Sequence, residues 1–179
     1  LHFAQINNTD GFFIVGRMPE SDFTIKNLRG HRVIVDHGGQ PLHMFNYACQ
    51  KAGLQLEEFE TIDAGSADEM AAAFRRGEGD YVHLQGPAPQ QLEAEGSGVV
   101  VGRVGDWVGR CAFSSLASRS DWLESATAPR FMRAFRRARQ WVNQAPATEV
   151  AASESAYFPD TPVEVLAETI GAYQALGCW

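Results

Sequence analysis

The sequence has no long apolar run. No stretch approaches the ~20 consecutive apolar residues that a membrane-crossing helix needs, so direct membrane insertion is not expected. Cysteine is scarce, with Cys49, Cys111 and Cys178 among 179 residues. The three form neither a CxxC pair nor a metal-ligand spacing, so neither a metal nor a cofactor is expected. Cys49 falls on an apolar helix face and Cys111 opens an apolar run, the settings of small buried hydrophobes. Cys178 stands next to the end as a free thiol, and no disulfide is expected among the three. GxSxG, Walker and GxGxxG patterns are missing. The histidines (His2, His31, His37, His43, His83) show no HxxxH spacing, although His37 and His83 read as strand ends where an acid–base or metal role stays open. A net charge of -7 argues against nucleic acid, which requires a concentrated basic surface. No charged segment followed by an apolar core marks a signal peptide. The chain opens at Leu1 and closes on Gly177-Cys178-Trp179 just after a helix stop, so it is expected to be a piece of a longer precursor.

What is there is globular: 45% hydrophobic and 21% charged residues, close to average usage and enough for one domain or two small lobes. The charge is uneven. Residues 1–107 hold 8 Lys+Arg against 15 Asp+Glu, and residues 108–179 hold 7 against 7, all seven bases being Arg. Apolar Phe12-Phe13-Ile14-Val15 reads as a buried strand, and Arg32-Val33-Ile34-Val35 as the next. Pro41 suits the first turn of a helix whose Leu42, Phe45, Cys49 and Ala52 repeat at helical spacing, with Gly53 its stop. Ser66 and Glu69 form a capping box for a helix buried through Met70, Ala73 and Phe74. Strands at Asp80–Leu84 and Val99–Val101 flank a short helix from Ala88. Residues 32–104 thus alternate strand and helix, which implies α/β architecture: a three-layer, Rossmann-like lobe with a mainly parallel sheet.

After Trp107 the pattern changes. Cys111–Leu116 reads as one strand and the rest as helices: one from near Pro129 with the stripe Phe131, Phe135, Ala138, Val142; one over Glu149–Tyr157; and one opened by a second capping box, Thr161 to Glu164, with Leu166, Ile170 and Tyr173 buried. One strand with three helices cannot close a layered core by itself. Arg130, Arg133, Arg136, Arg137 and Arg139 read as a solvated helix face, or as a contact with a transporter or an acidic neighbour.

Several segments in this order resemble the nitrate/sulfonate/taurine family of ABC-transporter solute-binding proteins. They are Ile25 to Val33 (I-x-x-L-x-G-x-x-V), Ala52-Gly53-Leu54 after a long helix, Gly77-Glu78-Gly79-Asp80 before a strand, and Pro129 to Pro146 as a return helix with a trailing N-x-x-P. The resemblance implies the periplasmic-binding-protein type II fold: two α/β lobes joined by paired hinge strands, with a ligand held in the cleft. Residues 1–14 would be hinge and entry strand, 15–107 lobe two, and 108–179 the return strand and helices of an incomplete lobe one. It also implies an ABC permease as partner, a small polar or anionic organic solute (sulfonate, nitrate, taurine or pyrimidine-like) as ligand, and a periplasmic or lipid-anchored extracytoplasmic location.

The strongest candidate site is Asp36 to Pro41. There, His37, Gly38, Gly39 and Gln40 join a parallel strand to a helix N-terminus, a place where backbone N–H groups reach a ligand and anions are favoured. Asp36 counts against a strongly anionic ligand, and the same pattern also serves a plain tight turn. Gln85 and Gly86 follow a strand on the same predicted edge, and the Gln85 amide can donate and accept. Asn8, Thr9 and Asp10 would lie near the hinge mouth. Trp107 would wall the cleft or pack in the core. Ser114, with Ser115 beside it, would donate from the returning strand or simply sit in its ladder. The expected function is solute binding for import, not catalysis. The alternative is an enzyme on the same fold, of the thiamine-pyrimidine or desulfinase type.

Overall fold

The computed structural model describes residues 1–36 and 38–179. In chain order the elements are β1 (His2–Gln5), β2 (Phe12–Gly16), β3 (Arg32–Val35), α1 (Gly39–Ala52), β4 (Glu60–Asp63), α2 (Ala67–Arg75), β5 (Tyr81–Gln85), α3 (Ala88–Ala94), β6 (Val99–Arg103), α4 (Val104–Val108), β7 (Ser115–Ala117), α5 (Ser120–Leu123), α6 (Thr127–Gln144), α7 (Ala147–Glu154) and α8 (Val163–Leu176). They divide into two units: Asp10–Gly109, and Leu1–Thr9 together with Arg110–Trp179. The crossings fall after residues 9 and 109, against boundaries after residues 14 and 107 expected from the sequence.

In Asp10–Gly109 a five-stranded sheet has the order β4-β3-β5-β2-β6. β3 runs parallel to β4 and β5, while β2 runs antiparallel to both its neighbours, β5 and β6. Four strands therefore share one direction and β2 alone opposes them. Hydrophobic periodicity is blind to strand direction, and the lone reversed strand is what the sequence does not show. Side chains alternate across the sheet. Val15, Ile34, Val82 and Leu84 pack under Met70, Ala73, Phe74 and Leu92 of α2 and α3. The rings of Phe12 and His83 lie on the other face, where Phe45 of α1 sits 5.0 Å from His83 between ring centroids.

Local chemistry sets the element ends. The Ser66 side chain accepts from the Glu69 N–H, and the Glu69 carboxylate accepts from the Ser66 N–H at 2.7 Å, closing the capping box that opens α2. Gly53 adopts φ 75° at the end of α1, a left-handed conformation that costs glycine little. Gly98 is required by closeness: a Cβ there would stand 2.7 Å from Val15 and 2.8 Å from Phe74. At the far end of the sheet the Arg17 guanidinium donates to the carbonyls of Phe74 (2.7 Å), Glu78 (2.8 Å) and Gly79 (2.8 Å) and lies 3.5 Å above the Phe74 ring. It thereby ties the last turn of α2 and the loop after it to the end of β2.

The second unit pairs β1 with β7 antiparallel and packs α7 on α8 through Val150, Ala151, Leu166 and Ile170. Three sequence readings are corrected here. The strand expected over Cys111–Leu116 is only Ser115–Ala117; Cys111 is half-buried and its N–H donates to the Asn8 carbonyl (2.9 Å), a loop contact instead of a ladder. The expected capping box at Thr161 does not form, because α8 begins at Val163 and Pro162 holds the N-cap position. The stripe of α6 is shallow: Phe131 is 40% exposed, and Phe135 and Val142 are half-buried. Phe135, Ala138 and Val142 line an apolar groove of about 220 Å³ with Ile6 and Trp179.

Two titratable groups of Asp10–Gly109 are buried without full pairing. His83 is fully buried between Phe12 and Phe45, and neither ring nitrogen has a partner among the described residues. Burial pushes its pKa down to about 3. Asp10 accepts from the Phe12 N–H at 2.7 Å through one oxygen, and the other has no partner among the described residues. Burial raises its carboxyl pKa to about 6, outweighing that hydrogen bond. The two act in opposite senses on stability. The folded pKa of His83 is depressed, so its contribution is present above about pH 6.5 and is lost as pH falls toward 3. The folded pKa of Asp10 is raised, so its contribution is present below about pH 4 and is lost as pH rises through 6. In urea unfolding across pH, His83→Phe is expected to flatten the acid arm, shifting its offset from wild type by up to about 5 kcal/mol between pH 7 and 3. Asp10→Asn is expected to gain up to about 3 kcal/mol relative to wild type between pH 4 and 7. Parallel pH profiles of wild type and either variant would refute the corresponding assignment.

Candidate functional site at the strand-end edge

The candidate residues of Asp10–Gly109 are gathered by strand register. Phe12 pairs with Gln85, so Asp10, two residues before the reversed strand β2, lies beyond the end of β5, past Gln85. β3 runs parallel to β5, so Asp36 and residues 38–40 leave the sheet at that same edge. Asp10, Asp36, Gly38, Gly39, Gln40, Gln85 and Gly86 are thus brought to one end of one sheet. In α/β proteins, ligands bind outside the carboxyl ends of the strands. His37 was singled out with them and lies outside the described residues.

At the start of α1, the Gly38 N–H donates to Asp36 Oδ1 at 3.2 Å. Gly38 is the N-cap in an extended conformation, and Gly39 follows with φ 71°, where a side chain would be strained. Among the described residues no side chain caps this helix. The first-turn N–H groups of Gly39 and Gln40 have no intrahelical acceptor, and the aligned peptides leave partial positive charge there. Gly39, Gln40 and Gln85 are exposed. The edge therefore offers backbone donors and the Gln85 amide, which both donates and accepts, while the carboxyl of Asp10 is fully buried at the same edge. Such groups orient a small polar solute.

The other candidates have different settings. Trp107 lies in α4, half-buried, with its ring 5.9 Å from that of Phe23 and packed over Gly102. In the second unit, Asn8 Oδ1 accepts from Arg139 Nη2 (2.7 Å) and Gln5 Nε2 (3.3 Å), and the Asn8 N–H donates to the Cys178 carbonyl (2.6 Å). Thr9 is buried and bridges to Arg110. Ser114 donates its hydroxyl to Asn7 Oδ1, and Asn7 Nδ2 donates to Cys178 Sγ (3.1 Å). The Ser115 hydroxyl meets His2 Nδ1 at 2.6 Å. Asn8 and Ser114 thus hold the chain segment that leads to the crossing.

His83 was read as a strand end near the edge. It sits inside β5, buried among rings, because the strand runs on to Gln85. Arg139 was read as solvated, yet it also donates to the Gln5 carbonyl at 2.7 Å. Its place four residues after Phe135 and three before Val142 puts it beside the apolar arc, a signal available in the sequence. Among the described residues no group of three or more His, Cys, Asp or Glu side chains is placed to hold a metal ion.

Comparisons with known proteins agree with this architecture. YtlA of Bacillus subtilis (strain 168), which its name describes as a binding protein, is 28% identical over 181 residues, covering 97% of this chain and 53% of that protein. The periplasmic aliphatic sulphonate binding protein SsuA from Escherichia coli superposes with a TM-score of 0.72 at 17% identity, over 94% of this chain and 57% of that one. The periplasmic nitrate-binding protein NrtA from Synechocystis PCC 6803 gives 0.62 at 18% identity, over 92% and 46%. The chain therefore spans about half the length of these relatives. The likeness to the solved structures is one of fold. The profile of the family described as NMT1/THI5 like matches residues 8–149. That stretch contains all of the five-stranded unit, both crossings and helix α6, and on this match the chain belongs to the NMT1/THI5-like family.

Proposed function

We propose that this chain is the ligand-holding part of a solute-binding protein of an ABC importer. It would receive a small polar or anionic organic solute at the strand-end edge of Asp10–Gly109. One observation carries the reading: the reversed strand β2 brings Asp10 to the edge where the uncapped start of α1 and the Gln85-Gly86 turn already lie. The loop His37–Gln40, through the first-turn N–H groups of Gly39 and Gln40, supplies donors to an anionic group, Gln85 and Gly86 fix orientation, and Asp10 is buried at the same edge. Trp107, Asn8, Thr9 and Ser114 support the elements that carry them. The sulphonate and nitrate for which SsuA and NrtA are named favour an oxyanion-bearing solute. The groups at the edge bind and orient, which fits a carrier more than an enzyme.

On this reading Asp10–Gly109 is one whole lobe, and the second unit is part of another that a longer polypeptide completes. The partner is an ABC permease, and the site of action is the periplasm or the outer face of a membrane to which a lipid anchors the protein. Polar groups from both lobes normally fix such a ligand. Calorimetry with ethanesulfonate, taurine and nitrate therefore decides between outcomes. The full-length protein is expected to bind at least one of them about a hundredfold more tightly than the 179-residue chain. Gln85→Ala in the full-length protein is expected to weaken that binding by about fivefold to tenfold. Equal affinities of the two proteins would place the whole site within this chain. Failure of the full-length protein to bind any of the three, or consumption of the solute, would overturn the proposal.

A further inference from the structure

Helix α6 carries five arginines and no acidic residue in eighteen positions. Arg139 is occupied by Gln5 and Asn8. Arg130, Arg133, Arg136 and Arg137 are exposed, and among the described residues none of them has an ion pair or a hydrogen-bonded side chain. The contrast with other arginines of the chain is sharp. Arg29, Arg75, Arg76, Arg103 and Arg119 each reach a carboxylate, those of Glu58, Glu95, Glu78, Asp106 and Asp121.

Arg130, Arg133 and Arg137 stand at i, i+3 and i+7, so they share one face, with Arg136 on its flank. At 1.5 Å rise per residue the first and last are about 10 Å apart along the axis. The opposite arc, Phe135, Ala138 and Val142, turns into the groove of its own unit. Like charges three and four residues apart repel and weaken a helix, and nothing among the described residues offsets that repulsion.

We propose that this stripe is a docking surface for an acidic segment of a protein partner that presents carboxylates at one-turn spacing. Guanidinium groups bind carboxylates through two parallel hydrogen bonds, and every base of this unit is Arg. An anionic bilayer fits less well. Helices that lie on membranes turn their apolar face to the lipid, whereas the apolar arc of α6 faces its own unit.

The test is fluorescence anisotropy of a labelled, alanine-rich helical peptide carrying Glu at i, i+3 and i+7. It is titrated with the full-length protein, with its R130Q/R133Q/R137Q variant, and with its R29Q/R75Q/R76Q variant, which removes the same charge from paired positions. Wild type is expected to bind at low salt and more weakly at physiological salt. The stripe variant is expected to lose about tenfold or more, and the control less than about twofold. A peptide with Gln in place of Glu is expected not to bind wild type, a readout independent of how the variants fold. No binding by wild type, equal loss in both variants, or binding of the Gln peptide would overturn the proposal. Tighter binding to vesicles of one part phosphatidylglycerol to two parts phosphatidylcholine than to the Glu peptide would overturn it in favour of a membrane occupant.

Discussion

The ladder that β2 makes with β5 on one side and β6 on the other organises the unit Asp10–Gly109. All five of its residues are buried, and its backbone is paired along both edges. Because it runs against its neighbours, its start meets the end of β5. That single reversal carries Asp10 to the strand-end edge and puts the first crossing of the chain at the same end. A one-residue slip of this strand would turn Val15 away from the α2 and α3 face and Ile14 into it. Close packing, with Val15 and Phe74 leaving no room for a Cβ at Gly98, opposes that slip.

Polar groups in this unit are satisfied unevenly. At the end of the sheet away from the candidate site, Arg17 spends its guanidinium on three carbonyls, and Tyr81 donates its hydroxyl to Glu20 at 2.7 Å. Toward the candidate edge stand an uncapped helix start and a carboxyl oxygen without a partner. Buried polar atoms without partners are costly, and in native proteins they concentrate where function requires them. His83 is a different case, an unpaired imidazole among rings inside β5, whose pH signature is separable from that of Asp10 because the two shift in opposite directions.

Charge follows the division into units. The sheet-bearing unit holds the whole net charge of -7, while the other is balanced in number but not in arrangement. Its arginines are concentrated on α6, one of them bonded to Asn8, four exposed and unpaired among the described residues. A count of charges registers a neutral unit; the helix geometry separates a structural arginine from an exposed cationic face.

The sequence by itself determined the local elements. Strong periodicity, the Ser66–Glu69 box and the stops at Gly53 and Gly177 marked α1, α2, α6 and α8 and the strands between them, because those signals act within a few residues of their cause. Short elements were harder to read. β1, held by long-range pairing, escaped, β7 was expected to begin at Cys111 and begins at Ser115, and α4 is too short to show a period. The candidate loop at Gly38–Gln40 was legible because glycines at a strand-to-helix junction have a local physical meaning. Its meeting with Asp10 was not, since that depends on β2 pairing between β5 and β6. Only the tertiary structure decided that His83 lies among rings instead of at an edge, that Arg139 anchors Asn8, and that Asp10 is buried with one oxygen unpaired. Direction of pairing, burial and partnership are set by residues far apart in the chain, whose contacts local spacing does not encode.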